Sequence, residues 1–163
     1  VGWFDQGVLG NRNWSYPGLK KPPSSSGLAA FNKDGELIKH ASLKSIVDCY
    51  ALNVFNNEAW SCTHGDFPIW QIKDSKEKLW KTNLSGTRAL AISYPYVLAV
   101  GGYGENINCM SLIELTKNAA EEKMKWKIDL FSAETEVLLL DGRANILHLV
   151  ADKKWHRWDV AKF

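Results

Sequence analysis

A Trp-Lys-x-x-Leu pentad occurs twice in this chain, as Trp80-Lys81-Thr82-Asn83-Leu84 and, 46 residues on, as Trp126-Lys127-Ile128-Asp129-Leu130. Tyr50-Ala51-Leu52-Asn53-Val54 is echoed 38 residues later by Arg88-Ala89-Leu90-Ala91-Ile92, and Leu37 stands 42 residues before Leu79. Recurrence near 40 residues signals one small structural unit used several times, each copy burying its apolar surface against the next. The requirement removes most folds at once. The unit must be complete in about 40 residues and must offer a face to each neighbour.

The unit is built of strands. Residues 27–40 read as two short strands around Asp34-Gly35, a dipeptide that supplies the positive-φ turn of a tight hairpin. A second copy sets Ile69-Trp70-Gln71-Ile72 and Leu79-Trp80 on either side of a charged turn. A third sets Ile146-Leu147-His148-Leu149-Val150 and Trp155-His156-Arg157-Trp158 on either side of Asp152-Lys153-Lys154. Elsewhere residues 51–54 and 58–63 flank Phe55-Asn56-Asn57, and residues 89–92 and 96–100 flank Ser93-Tyr94-Pro95. These runs are nearly continuous in apolar residues, as in strands buried on both faces. Four antiparallel strands in 40–45 residues make one β-propeller blade. The sequence therefore predicts an all-β fold of propeller-like repeats, about four blades or a partial propeller. The units fall approximately at 1–43, 44–84, 85–130 and 131–163 of a single domain. The chain enters at Val1-Gly2-Trp3-Phe4-Asp5 as if a strand were already under way. The expectation is part of a longer propeller of six to eight blades, or self-association that completes one, because unclosed sheets leave edges exposed.

Two segments interrupt the rhythm. Residues 5–26 are rich in Gly, Pro and Ser and read as a long loop, which in a compact domain is either functional or mobile. Residues 116–125 carry charge with no apolar stripe for a helix to bury, so they read as a charged hairpin loop rather than a helical turn.

Charge and cysteine usage narrow the partners. Twenty Lys and Arg against 18 Asp and Glu leave a net charge of +2, scattered along the chain, which disfavours nucleic acid. No run reaches the ~18 apolar residues that span a bilayer, and the first residues lack the basic-then-apolar order of a signal peptide. No membrane partner is expected, and a cytoplasmic location is. Cys49, Cys62 and Cys109 are odd in number and widely spaced, and read as reduced thiols. With His40, His64, His148 and His156 they form no paired zinc spacing, and no metal or other cofactor is expected.

The run Gly27-Leu28-Ala29-Ala30-Phe31-Asn32-Lys33-Asp34-Gly35-Glu36-Leu37 resembles the outer strands of quinoprotein-type and YVTN-type propeller repeats. A wider set resembles uncharacterised bacterial propeller proteins: Asp5 with Gly7, Gly10 and Asn11, then Asp48-Cys49-Tyr50, Asp66-Phe67-Pro68-Ile69 and Gly101-Gly102-Tyr103-Gly104. The resemblance implies a fold and no activity. The chain departs from quinoprotein enzymes in having no vicinal disulfide pair or metal cluster. It departs from WD-repeat scaffolds in lacking a Gly-His start to each blade, Trp158-Asp159 being a lone WD dipeptide.

Function has to be argued from a site. Successive connections of a meander switch ends, so the loop entering the first strand shares an end with the loop between the second and third. That rule gathers loops 5–26, 47–49, 64–68, 85–88, 101–106 and 141–143. The candidate ligand-binding residues are then Asp5, Asn11, Asn13, Asp48, His64, Asp66, Arg88, Tyr103, Glu105, Asp141 and Arg143. Mixed carboxylates, two arginines, a tyrosine and a histidine suit a polar small molecule or the charged tip of a protein partner. The same Asp and Gly types also serve turns, through side-chain hydrogen bonds and positive φ.

No catalytic residue is assigned. Gly101-Gly102-Tyr103-Gly104 precedes no helix to cradle phosphate, and no serine stands in a nucleophile elbow. The reading is a non-catalytic binding module, with a calcium-assisted, lactonase-like hydrolase as the alternative. The eight tryptophans read as core between stacked sheets; Trp3 and Trp14, beside the long loop, are the two considered as ligand contacts.

Overall fold

In the computed structural model of the chain, which describes residues 1–3, 16–40, 48–74, 76–128 and 137–163, every element longer than four residues is a β-strand. Four antiparallel sheets follow one another. The first pairs β1 (Ala29–Phe31) with β2 (Leu37–His40). The second is the meander β3 (Cys49–Phe55), β4 (Glu58–Thr63), β5 (Ile69–Lys73) and β6 (Lys76–Trp80). The third is β7 (Ala89–Ser93), β8 (Tyr96–Val100), β9 (Cys109–Leu115) and β10 (Ala120–Lys127); the fourth is β11 (Val137–Arg143), β12 (Ile146–Ala151) and β13 (Lys154–Asp159). The all-β expectation is met, with two four-stranded sheets. Among the described residues no helix is long and apolar enough to cross a membrane.

Local chemistry sets the connections. Asn56 and Asn57 (φ 46° and 61°) and Asp152 and Lys153 (φ 48° and 61°) are left-handed in pairs, the backbone that twisted two-residue hairpins demand. The β1–β2 connection is longer than the expected Asp34-Gly35 turn. Asn32 Oδ1 accepts from the amides of Asp34 (3.0 Å) and Glu36 (2.8 Å), folding residues 32–36 around one side chain. Residues 116–125 form no helix. Most of them belong to strand β10, whose charged face is open to water.

The sheets stack face to face, each sending alternate side chains to opposite neighbours. Leu28, Cys49 and Trp70 fill the space between first and second sheets. Trp60, Trp80, Cys62 and Ile69 meet Leu90, Ile92, Val97 and Ile113 between second and third. Ala91, Leu98 and Met110 meet Leu147 and Trp158 between third and fourth. The Trp60 and Trp80 rings stack with centroids 5.8 Å apart, and Trp80 Nε1 donates to Thr116 O at 2.8 Å. Burying a ring of this size removes about 150–250 Å² from water, roughly 4–6 kcal/mol before entropic costs. Trp155 departs from the core reading of the tryptophans: it is 62% exposed, on the face of the fourth sheet turned away from the third.

The first strands β3, β7 and β11 touch one another, and the Asn53 side chain ties β3 to β7 and to the turn that follows β11. Asn53, 1% exposed, donates through Nδ2 to Leu90 O (2.8 Å) and Ala144 O (2.9 Å), and its Oδ1 accepts from Ala144 N (2.9 Å). Ile92 N also donates to Ala144 O at 2.7 Å. Backbone groups along the inner edge of β7 are thus paired across sheets rather than left bare. Gly142 sits in the same seam: a Cβ there would lie 1.6 Å from Leu90 O. The expectation of a loop at 141–143 is therefore corrected. This glycine lies in the strand where a second backbone approaches too closely for any side chain, and Asp141 and Arg143 are strand residues beside the 144–145 turn.

The outer strands of the second and third sheets are charged. Lys76, Glu77 and Lys78 lie on β6, and Glu121, Glu122, Lys123, Lys125 and Lys127 on β10. Lys123 bridges Glu114 and Glu121, each at 2.8 Å.

Candidate functional site

At the end of the second sheet where β3 begins, a register shift between Cys49 and Ala51 turns Tyr50 out of the regular strand pattern. The β4–β5 loop lies at the same end, as the meander rule requires. In it Gly65, Asp66 and Phe67 all have positive φ (86°, 57° and 43°). Glycine adopts that backbone freely, whereas a phenylalanine there is strained by about 1–3 kcal/mol and must be held by its surroundings. Phe67 O accepts from Thr82 Oγ1 at 2.7 Å and from Cys62 Sγ at 3.7 Å. Burial pushes the Cys62 thiol up to about 12, so it stays a protonated donor beneath the loop.

The clamped loop builds an aromatic cluster. Phe67 stands edge-on to Tyr50 (5.6 Å between centroids), His64 (5.6 Å) and Tyr103 (5.7 Å), while His64 stacks on Tyr50 at 6.3 Å. Tyr103 comes from the β8–β9 loop of the third sheet, and its hydroxyl is hydrogen-bonded to that of Tyr50. Its ring rests on Gly86, where a Cβ would come within 2.9 Å of it. The cluster therefore bridges two sheets with phenol, imidazole and phenyl rings, edge-to-face in every pair but the stacked His64 and Tyr50, arrangements that ring quadrupoles favour. Tyr103 is 49% exposed and His64 is exposed, so the rim meets solvent.

The eleven candidates divide. His64 and Tyr103 are in the cluster itself. Asp48 lies at its base, where Asp48 O accepts from His64 N at 3.0 Å; its Oδ1 is buried with no hydrogen-bond partner. Asp66 is exposed on the clamped loop. Arg88 and Glu105 are exposed on the neighbouring connections, Arg88 packing its stem over Gly101. Asp141 and Arg143 are strand residues and do not join this group. Asp5, Asn11 and Asn13, with Trp14, lie outside the described residues, as does the first half of the long loop. Trp3 packs edge-on to Phe31 at 6.4 Å.

Neither protein-family models nor curated protein sequences give a match to this chain. The site is accordingly read from its own chemistry. Among the described residues no three His, Cys, Asp or Glu side chains gather where one ion could be held. Of the carboxylates grouped by the sequence, the described Asp48, Asp66, Glu105 and Asp141 are spread over separate loops and a strand. Tyr50 and Phe67 were missed as site residues. Phe67 had a visible signal, an aromatic set directly behind Gly65-Asp66 in a turn. Tyr50 had none, since it reads as an ordinary strand residue until the register shift displaces it.

Proposed function

We propose that the chain is a non-catalytic binding module, a small propeller-type stack whose loop-rich end engages a polar ligand or an exposed polar segment of a protein partner. The observation carrying this reading is the Tyr50, His64, Phe67 and Tyr103 cluster. It combines ring faces, two phenolic hydroxyls and an imidazole at a solvent-facing rim, held by a strained loop of the kind that concentrates at ligand sites. Such a surface suits a ligand with one flat apolar face and a polar edge.

The propeller part of the proposal draws on the four-stranded meanders, their face-to-face stacking, and the meeting of β3, β7 and β11. Asn53 of β3 bonds to Leu90 of β7 and to Ala144 in the turn just after β11. So narrow a centre favours about four sheets over a wide ring of six to eight.

The test is an NMR titration of the chain labelled in its aromatic side chains, against monosaccharides, nucleotides, single amino acids and short acidic or basic peptides at millimolar concentration. Shifts confined to Tyr50, His64, Phe67 and Tyr103, and lost in Tyr103→Ala with the melting temperature within a few degrees, support the reading. No response across the panel, or a response centred elsewhere, refutes it.

A further inference from the structure

The fourth sheet buries one face against the third and, among the described residues, leaves the other open. Cross-strand pairing orders that open face into rows. Leu139, Val150 and Trp155 form an apolar row; Leu139 is 47% and Trp155 62% exposed. Beside it Asp141, His148 and Arg157 form a second row, acidic at β11 and basic at β13. A third runs Arg143, Ile146 and Asp159, basic at β11 and acidic at β13. The indole is already oriented: Trp155 Nε1 donates to His148 Nδ1 at 3.2 Å, the two rings stack at 5.7 Å, and Arg157 lies over the indole. Large exposed apolar side chains, fixed in place and framed by charge, mark an association surface.

We propose that this face packs against the same face of a second copy, about a two-fold axis parallel to the strands. Such an axis lays β12 over β12 and β11 over the β13 of the other copy. Asp141 then meets Arg157 of the other copy, Arg143 meets Asp159, and Leu139 meets Trp155. Each contact occurs twice, as an isologous interface requires. A two-fold axis across the strands would instead set Asp141 over Asp141 and Arg157 over Arg157, so the charge pattern selects the first arrangement. Three strands about 4.8 Å apart and some 20 Å long offer an area on the small side for a stable dimer. The association is weak and concentration-dependent.

Sedimentation equilibrium of the full chain from about 10 μM to 1 mM, a range that brackets weak association, tests the arrangement. The wild type moves from monomer to dimer across that range. Asp141→Lys or Arg157→Glu alone places like charges at both symmetric contacts and leaves a monomer throughout. An equimolar mixture of those two variants restores the dimer, because each contact in the mixed pair again joins an acid to a base; the double variant does the same. Trp155→Ser, which leaves the charges untouched, also weakens dimerisation at least tenfold. Thermal melts within a few degrees of wild type establish that each variant is folded. A wild type that stays monomeric at 1 mM overturns the proposal. So do single variants that still dimerise, or a mixture that does not recover.

Discussion

Replacing Asn53 by alanine removes a side chain that ties β3 to β7 and to the turn after β11. Three hydrogen bonds are lost at a site 1% exposed. Ala144 O keeps its bond from Ile92 N, but Leu90 O and Ala144 N lose their Asn53 partner. Each buried group left unpaired costs about 1–3 kcal/mol, and removing the amide leaves a small void besides. The expected loss is about 3 kcal/mol, a large share of the 5–15 kcal/mol typical of a domain. In a chain of this size that lowers the melting temperature by roughly 6–12 °C.

Asn53→Asp separates the hydrogen bonds from the packing. The ionised carboxylate still accepts from Ala144 N but turns an acceptor, and a charge, towards two carbonyl oxygens. Burial and those carbonyls raise the pKa of the introduced group in the folded state above its unfolded value near 4. The sign follows: below about pH 4 the neutral acid can donate and the variant is at its most stable relative to wild type. As the pH rises from there through the folded-state pKa, that stability is lost. Urea unfolding of both variants at pH 4 and pH 7 measures this. An Asn53→Ala loss under 1 kcal/mol, or an Asn53→Asp penalty that grows towards acid, would refute the pinning role.

Gly142→Ala puts a methyl 1.6 Å from Leu90 O; the strand must leave the seam, and a loss above about 3 kcal/mol or failure to fold is expected in denaturant titrations. Trp60→Ala opens a cavity beside Trp80 and costs about 3–5 kcal/mol by thermal or urea unfolding, whereas Trp155→Ala at its exposed site costs under 1 kcal/mol. The thiols of Cys49, Cys62 and Cys109 are free and buried, and burial raises the pKa of the first two, Cys62 to about 12. A thiol-specific disulfide reagent at pH 8 should label none of the three until denaturant is added. Stability should decline as the pH rises above the ordinary thiol value near 8.5, where only unfolded chains release these protons, and keep falling towards 12.

The strands and their turns were legible because short apolar runs and Asn-Asn or Asp-Lys dipeptides act locally, through backbone conformations that need no distant partner. What the sequence could not reveal depends on contacts between remote segments. Gly142 reads as a turn glycine until Leu90 is seen against it. Asn53 is a visible oddity, an amide between Leu52 and Val54, but its partners lie 37 and 91 positions away. Trp155 shares the sequence character of the buried Trp80, yet it stands on the face of its sheet turned away from the third and lies in water. At the candidate site, His64 and Tyr103 followed from the rule that alternate connections share an end. Asp141 and Arg143 were misplaced because one glycine was read as the end of a strand.

The charged outer strands determine how this protein avoids growing. A sheet rim with bare amides and carbonyls is a template on which another strand can dock, and β6 and β10 face that hazard with lysine and glutamate along most of their length. A peptide arriving as a fifth strand would have to dehydrate those charges. Strand addition at those two rims is therefore disfavoured, which turns recognition there towards loop ends and sheet faces. Part of this protection is Coulombic. At 1 M salt, where screening shortens to about 3 Å, the rims lose part of this protection, and rim-to-rim assembly becomes an aggregation route the fold guards against less.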